Sequence, residues 1–199
     1  ENLLIFSICP NLMTPLEKKN HSKILIPWLF YGLILLLIWP LIKLNYFVTH
    51  DGPAHIYNSC LIREVVSGNT LATGFFNLKN FPEPNWTGHF ILAALNSFFS
   101  PDISEKIFLG AYVILFPVFF RKTLQKVNAG SGASILLVFP FVYSYFFIGG
   151  LYNFLAGVTV LFASLSIILP LLGKKGNKKY LWVFIFSLLL YFSHLIALG

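Results

Sequence analysis

The residues best suited to chemistry stand together in the stretch "THDGPAH", residues 49–55. Asp51 lies between His50 and His55, with Gly52, Pro53 and Ala54 completing the run. A carboxylate placed this way has three readings. It can act as a general base on a hydroxyl group. With the two imidazoles it can ligate a divalent ion, although HDxxxH matches no zinc signature and no clear further ligand stands nearby. It can also be a cap, because Asp before Gly-Pro starts a turn or a helix with no further role. No cofactor is expected from this pattern; a divalent metal is compatible with it but not called for.

Further candidates lie along the chain. His55 can hydrogen-bond the aspartate or a phosphate. Arg63, two helical turns later, can pair with a phosphate, or with its neighbour Glu64. Asn153 follows a two-glycine turn in "GGLYNF", and His194 stands near the end of a hydrophobic run, where ionisable residues mark function by default. There is no P-loop, dinucleotide fingerprint, nucleophile elbow or HExxH. The two cysteines, Cys9 and Cys60, form neither a metal spacing nor a disulfide framework.

The elements that hold these residues belong to a membrane. The 199-residue chain is 57% hydrophobic and only 11% charged, against about a quarter charged in soluble domains. Its 22 phenylalanines and 9 tyrosines suit lipid contact and interfacial belts. The net charge of +7 comes from lysines clustered between apolar runs, where topology wants them, so no nucleic-acid partner is expected. The bilayer is the expected partner.

Apolar runs of span length occur at about 24–44, 103–120, 131–148, 151–172 and 180–198. The first is too long for a cleaved signal peptide. Trp86–Phe99 is short for a span and reads as an interfacial helix, with Trp86, Phe90, Ala94 and Phe98 stepping by four and His89, Ala93 and Asn96 forming a polar strip. Charge then selects the topology. With five spans and a cytoplasmic N-terminus, ten of the fourteen basic residues face the cytoplasm, leaving Lys43, Arg63, Lys79 and Lys106 outside. If Trp86–Phe99 crossed, "RKTLQK" (121–126) and "GKKGNKK" (173–179) would move outside, against the positive-inside rule.

The fold expected is therefore all-α: a polytopic transmembrane helix bundle with one transmembrane domain over 24–199 and a large outer loop over 45–102. Loops of that length tend to be functional. Pro53 fits the first turn of a helix running to Ser67 and ended by Gly68. That helix carries Ile56, Tyr57, Cys60, Leu61 and Val65 on one broad side and His55, Asn58, Ser59 and Arg63 on the other. Asp51, His50, His55 and His89 all fall on the outer side, with His194 near the outer end of the last span. "NWT" (85–87) is a glycosylation sequon, meaningful only in a eukaryotic source. Residues 1–23 form a basic cytoplasmic leader. Residues 1–12 precede the only methionine, Met13, and read as outside the native start. The closing "YFSHLIALG" halts at a hydrophobic run, so the chain reads as the N-terminal part of a longer protein.

This order of features resembles the GT-C superfamily of integral membrane glycosyltransferases, which includes dolichyl-phosphate-mannose protein mannosyltransferases and aminoarabinose transferases. The matching pieces are "THDGPAH", the helix from Pro53, "PNWTGHFILAALNSFF" and the span ending "FFRKTLQK". The strings "DGPAHIYN", "NWTGH" and "GGLYNF" are also similar to a group of bacterial multi-pass proteins of this architecture. Many superfamily members carry two adjacent acids; here Asp51 stands alone before Gly52. The resemblance implies two juxtamembrane helices in the first outer loop and a polyprenyl-phosphate sugar donor. It implies inverting transfer to an acceptor on the extracytoplasmic side of a bacterial cytoplasmic membrane, with Asp51 as the motif acid. Two other readings stay open from the residues: a transporter subunit using Asp51 and the histidines as an ion site, and a non-catalytic assembly protein. Transporters usually hold such groups near the bilayer midplane rather than in a loop.

Overall fold

The computed structural model describes residues 15–78, 83–127 and 132–198, with side chains from residue 25 onward. The expected non-native residues 1–12 and the outer Lys79 lie outside the described residues. Among those described there are helices and no strands. Three helices are long and apolar enough to cross a membrane, over Leu25–Lys43, Pro101–Lys126 and Tyr152–Leu172.

The first helix, α1 (Pro15–Lys43), begins well before the expected span, at Ile24. Pro15 suits a first helical position, and nothing after it breaks the helix until the apolar run takes over. The long connection that follows α1 holds α2 (Gly52–Val66), α3 (Thr70–Phe75) and α4 (Thr87–Leu95). α3 has no counterpart in the sequence reading; Asn69 caps it by accepting hydrogen bonds from the Leu71 and Ala72 N–H groups. α5 (Pro101–Lys126) follows.

The segment expected to span at 131–148 differs most. It is a 3-10 helix over Ala133–Val138, then α6 (Phe139–Val142) and α7 (Tyr145–Ile148), broken at Tyr143 and Ser144. The loose 3-10 start rises about 2.0 Å per residue instead of 1.5, so it covers more length with fewer residues. Its order is readable from its contacts with α1 and the chain just after it. Phe139 packs on Phe30 at 5.3 Å, the Tyr143 hydroxyl donates to the Leu37 carbonyl at 2.7 Å, and Phe147 meets Phe47, beyond the end of α1, at 5.7 Å. The segment therefore runs beside α1 from Phe30 to past its C-terminal end despite its breaks.

α8 (Tyr152–Leu172) returns beside α5, with the Thr123 hydroxyl donating to the Phe162 carbonyl at 2.9 Å. α9 (Lys178–Ser193) is shorter than the expected run, stopping where His194 turns extended before α10 (Leu195–Leu198). Arg121 lies over the rings of Phe30 and Tyr31 near the start of the apolar part of α1. The α8–α9 turn, which carries the second lysine cluster, follows from that same end. Both basic clusters thus stand at one end of the stack and Asp51 at the other.

The core joins Phe30, Ile34 and Leu41 of α1 to Leu109, Val113 and Phe116 of α5 and to Tyr152 and Leu155 of α8. The outer faces remain strongly apolar: Trp28 is 75% exposed and Leu35 69%. An uncovered apolar surface of that extent suits lipid. α4 follows the same logic, with Phe98 83% exposed while the strip of Ala93 and Asn96 is buried against the protein.

The loop before α2 is tied to the turn before α8. The His50 and Asp51 N–H groups donate to the Ile148 and Gly149 carbonyls, both at 3.0 Å. Gly150, at φ 75°, closes that turn, and a Cβ there would sit 2.7 Å from the Gly52 nitrogen and 2.9 Å from that of Asp51. Gly150→Ala is therefore expected to destabilise the protein by about 2 kcal/mol through φ strain and overlap with backbone. Gly32, which has open space around it, takes alanine without loss. Unfolding temperatures in detergent, wild type against the two variants, check the contrast.

Candidate functional site

The site is built around the first turn of α2. Asp51 occupies the N-cap position but makes no side-chain capping hydrogen bond. Its carboxylate is half exposed and, among the described residues, pairs only with its exposed neighbour, His50 Nδ1 to Oδ1 at 3.2 Å. Exposed pairs of this kind contribute little stability. Asp51 and His50 open onto a cavity of about 390 Å³ walled by Tyr145, Ile148, Gly149 and Leu151. Of the readings open for Asp51, capping thus has no hydrogen bond to support it.

Behind the turn lies a polar network that the sequence reading did not single out. The Tyr152 hydroxyl donates to Glu105 Oε1 and meets the Thr49 hydroxyl at 2.9 Å. Gly52 is required here: a Cβ on it would overlap Thr49, Glu105 and the Tyr152 hydroxyl. A second carboxylate therefore stands in space where the sequence shows a lone acid. Glu105 also walls a cavity of about 440 Å³ with Asp102, Lys106 and Tyr57. The clue was available, since Glu105 is an ionisable residue early in a spanning helix.

His55 lies on the inner side of the same turn. Its ring stacks on Tyr152 at 4.9 Å and faces His89 of α4 at 4.6 Å. The Nδ1 atoms of both histidines are buried with no hydrogen-bond partner among the described residues. Burial pushes His55 down to about 4, helped by the neighbouring His89 and opposed by Asp51. Burial also lowers His89, against a hydrogen bond to the His55 backbone. Both rings are neutral near pH 7 and act as stacked, half-buried plates. Among the described residues no three His, Cys, Asp or Glu side chains are grouped to hold an ion.

The other predicted residues go elsewhere. Arg63 donates to the Asn96 carbonyl at 2.7 Å and to Glu64 at 2.6 Å, tying α2 to the end of α4. Glu64, through its hydrogen bond, raises the Arg63 guanidinium further above its ordinary value. Asn153 is buried and its Oδ1 accepts the Gly88 N–H at 2.7 Å, clamping α4 to α8. His194 caps the end of α9, with its ring edge-on to Phe154 at 5.4 Å. The structure thus gathers Asp51 and His55 about one helical turn and leaves Arg63, Asn153 and His194 in helix-to-helix contacts.

The chain matches no protein-family model, no curated protein and no solved structure.

Two outcomes follow from this geometry. Asn153→Ala leaves the buried Gly88 N–H without its acceptor, an expected loss of about 1–3 kcal/mol read by denaturation in detergent. For His55 the folded value lies below the ordinary 6.5, so the unfolded chain takes up the proton first. The stability present above about pH 6.5 should fall steadily toward pH 4, and His55→Gln should flatten that fall. Unfolding temperature against pH, for both proteins, is the measurement.

Proposed function

We propose that this chain is part of a polytopic membrane glycosyltransferase of GT-C type. It transfers a sugar from a polyprenyl-phosphate donor to an acceptor hydroxyl on the extracytoplasmic side. The observation that carries the reading is Asp51: a carboxylate on the chain that follows an apolar helix, at the start of α2, left without a side-chain capping bond and facing an open cavity. A base at that height can meet a substrate whose tail stays in the bilayer.

The surroundings support a lipid-borne donor. An apolar cavity of about 380 Å³, walled by Phe116, Phe141, Phe146, Phe154 and Phe162, lies among α5, the broken segment and α8. The chain between Ser144 and Phe154 is shared by two cavities. Ser144, Phe146 and Phe154 wall the apolar one, while Tyr145, Ile148, Gly149 and Leu151 wall the cavity of Asp51. A prenyl tail suits the first, and the second, beside Asp51, has room for the reacting hydroxyl and sugar ring. The positive-inside rule assigns the lysine-rich end to the cytoplasm and so the Asp51 end to the outside, with the N-terminus inside.

In the transfer, Asp51 takes the proton of the acceptor hydroxyl as its oxygen attacks the anomeric carbon. The bond from that carbon to the phosphate oxygen breaks on the opposite face, which inverts the centre, and polyprenyl phosphate leaves. Glu105, Thr49 and Tyr152 hold the turn that carries Asp51.

Asp51→Asn should reduce lipid-linked sugar transfer by a factor on the order of 10²–10⁴ while leaving the unfolding temperature unchanged. The assay uses membranes containing the whole protein and a radiolabelled polyprenyl-phosphate sugar. Unchanged transfer by the variant would remove Asp51 from the reaction.

A further inference from the structure

A second concave site lies on the other side of the His55–His89 pair from Asp51. It is a cavity of about 300 Å³ between α2, the chain after α3 and the start of α4. Three asparagines from these three places converge on it: Asn58, Asn77 and Asn85. Phe76 and Trp86 supply aromatic surface, and His89 forms part of the inner wall.

The lining has a distinctive chemistry. It holds carboxamides, an imidazole, an indole and aliphatic groups, and no Asp, Glu, Lys or Arg among the described residues. Among the described lining residues, a phosphate or a metal ion finds no opposite charge. The asparagines are also uncommitted. Asn69, Asn96 and Asn153 bond to neighbouring groups, whereas the carboxamides of Asn58, Asn77 and Asn85 make no such bond among the described residues. Each carboxamide offers a donor and an acceptor in one plane. That pairing suits adjacent hydroxyls, which need one of each. An aromatic face suits the C–H face of a sugar ring. The volume stands at the small end of ligand pockets, enough for one ring rather than a long chain.

We infer that this cavity is a binding site for a neutral pyranose sugar, held by Asn58, Asn77 and Asn85 against the aromatic surface of Trp86 and Phe76. The binding is noncovalent and needs no proton transfer. It rests on the lining of this cavity and does not require Asp51 to be a base.

The test uses the whole chain in nanodiscs and saturation-transfer NMR. The probes are methyl glycosides of glucose, mannose, galactose and N-acetylglucosamine, up to about 50 mM. Glucuronate and inorganic phosphate serve as charged comparisons. At least one neutral glycoside should bind saturably, with the signal concentrated on its ring C–H protons. Asn58→Ala and Asn77→Ala should each weaken that binding about tenfold. Both positions are exposed, so the folded state should survive, which unfolding temperature verifies. Asp51→Asn should bind the glycoside as the wild type does, which separates this site from the transfer reaction. Three results would overturn the assignment. One is the absence of saturable binding by every neutral glycoside. Another is wild-type binding in the Asn58→Ala, Asn77→Ala double variant. The third is stronger binding of phosphate or glucuronate than of any neutral sugar.

Discussion

The structure turns on the contact between the first turn of α2 and the turn that begins α8. Two backbone hydrogen bonds, from His50 and Asp51 to the 148–149 carbonyls, join them. Gly52 and Gly150 allow the approach because neither has a Cβ to fill it. Thr49, Tyr152 and Glu105 then form a polar cluster beneath. A polar group withdrawn from water needs its partners close at hand, and here residues separated by about a hundred positions supply them. The rest of this end of the molecule follows from that joint. It sets the height and direction of Asp51, it brings His55 onto Tyr152, and it places α4 where Asn153 can hold the Gly88 N–H.

The membrane supplies the second constraint. Backbone groups in lipid must be bonded within the chain, which leaves helices as the available structure here. Large side chains of α1 stay exposed because lipid, rather than protein, is their expected neighbour. The same rule explains the broken 133–148 segment. Non-helical backbone at that depth is tolerated where protein covers it, and Ile135, Val138, Val142 and Phe147 are buried against α1 and α5. The Tyr143 hydroxyl reaching the Leu37 carbonyl anchors the break itself.

Much of the helical layout was legible because hydrophobic runs and proline positions are local signals. The α2 start follows from Asp-Gly-Pro, and the α8 run from its continuous apolar residues. What escaped were features created by distance in sequence. Glu105 was not singled out in the sequence, yet the fold sets it against Tyr152 and beside Gly52. Asn153 was singled out as a binding candidate, but its partner, the Gly88 N–H, could not be known from spacing. The 131–148 run is apolar throughout, so composition suggested one helix; in the fold the chain breaks at Tyr143, whose hydroxyl donates to the Leu37 carbonyl of α1. For α4, periodicity separated the two faces, and the structure shows that its polar strip is the buried one because α2 presents Ser59 and His55 to it. Asn96 donating to the Ser59 hydroxyl at 2.9 Å marks that seam.

The proposed function requires one arrangement: Asp51 on the extracytoplasmic side and both lysine clusters on the opposite side. Cysteine accessibility tests it most directly. In a protein with Cys9 and Cys60 replaced by serine, His50→Cys and Lys175→Cys are introduced separately, and intact cells are treated with a membrane-impermeant maleimide. The account predicts labelling of His50→Cys in intact cells and of Lys175→Cys only after the membrane is opened. Labelling of Lys175→Cys in intact cells, with His50→Cys protected, would contradict it.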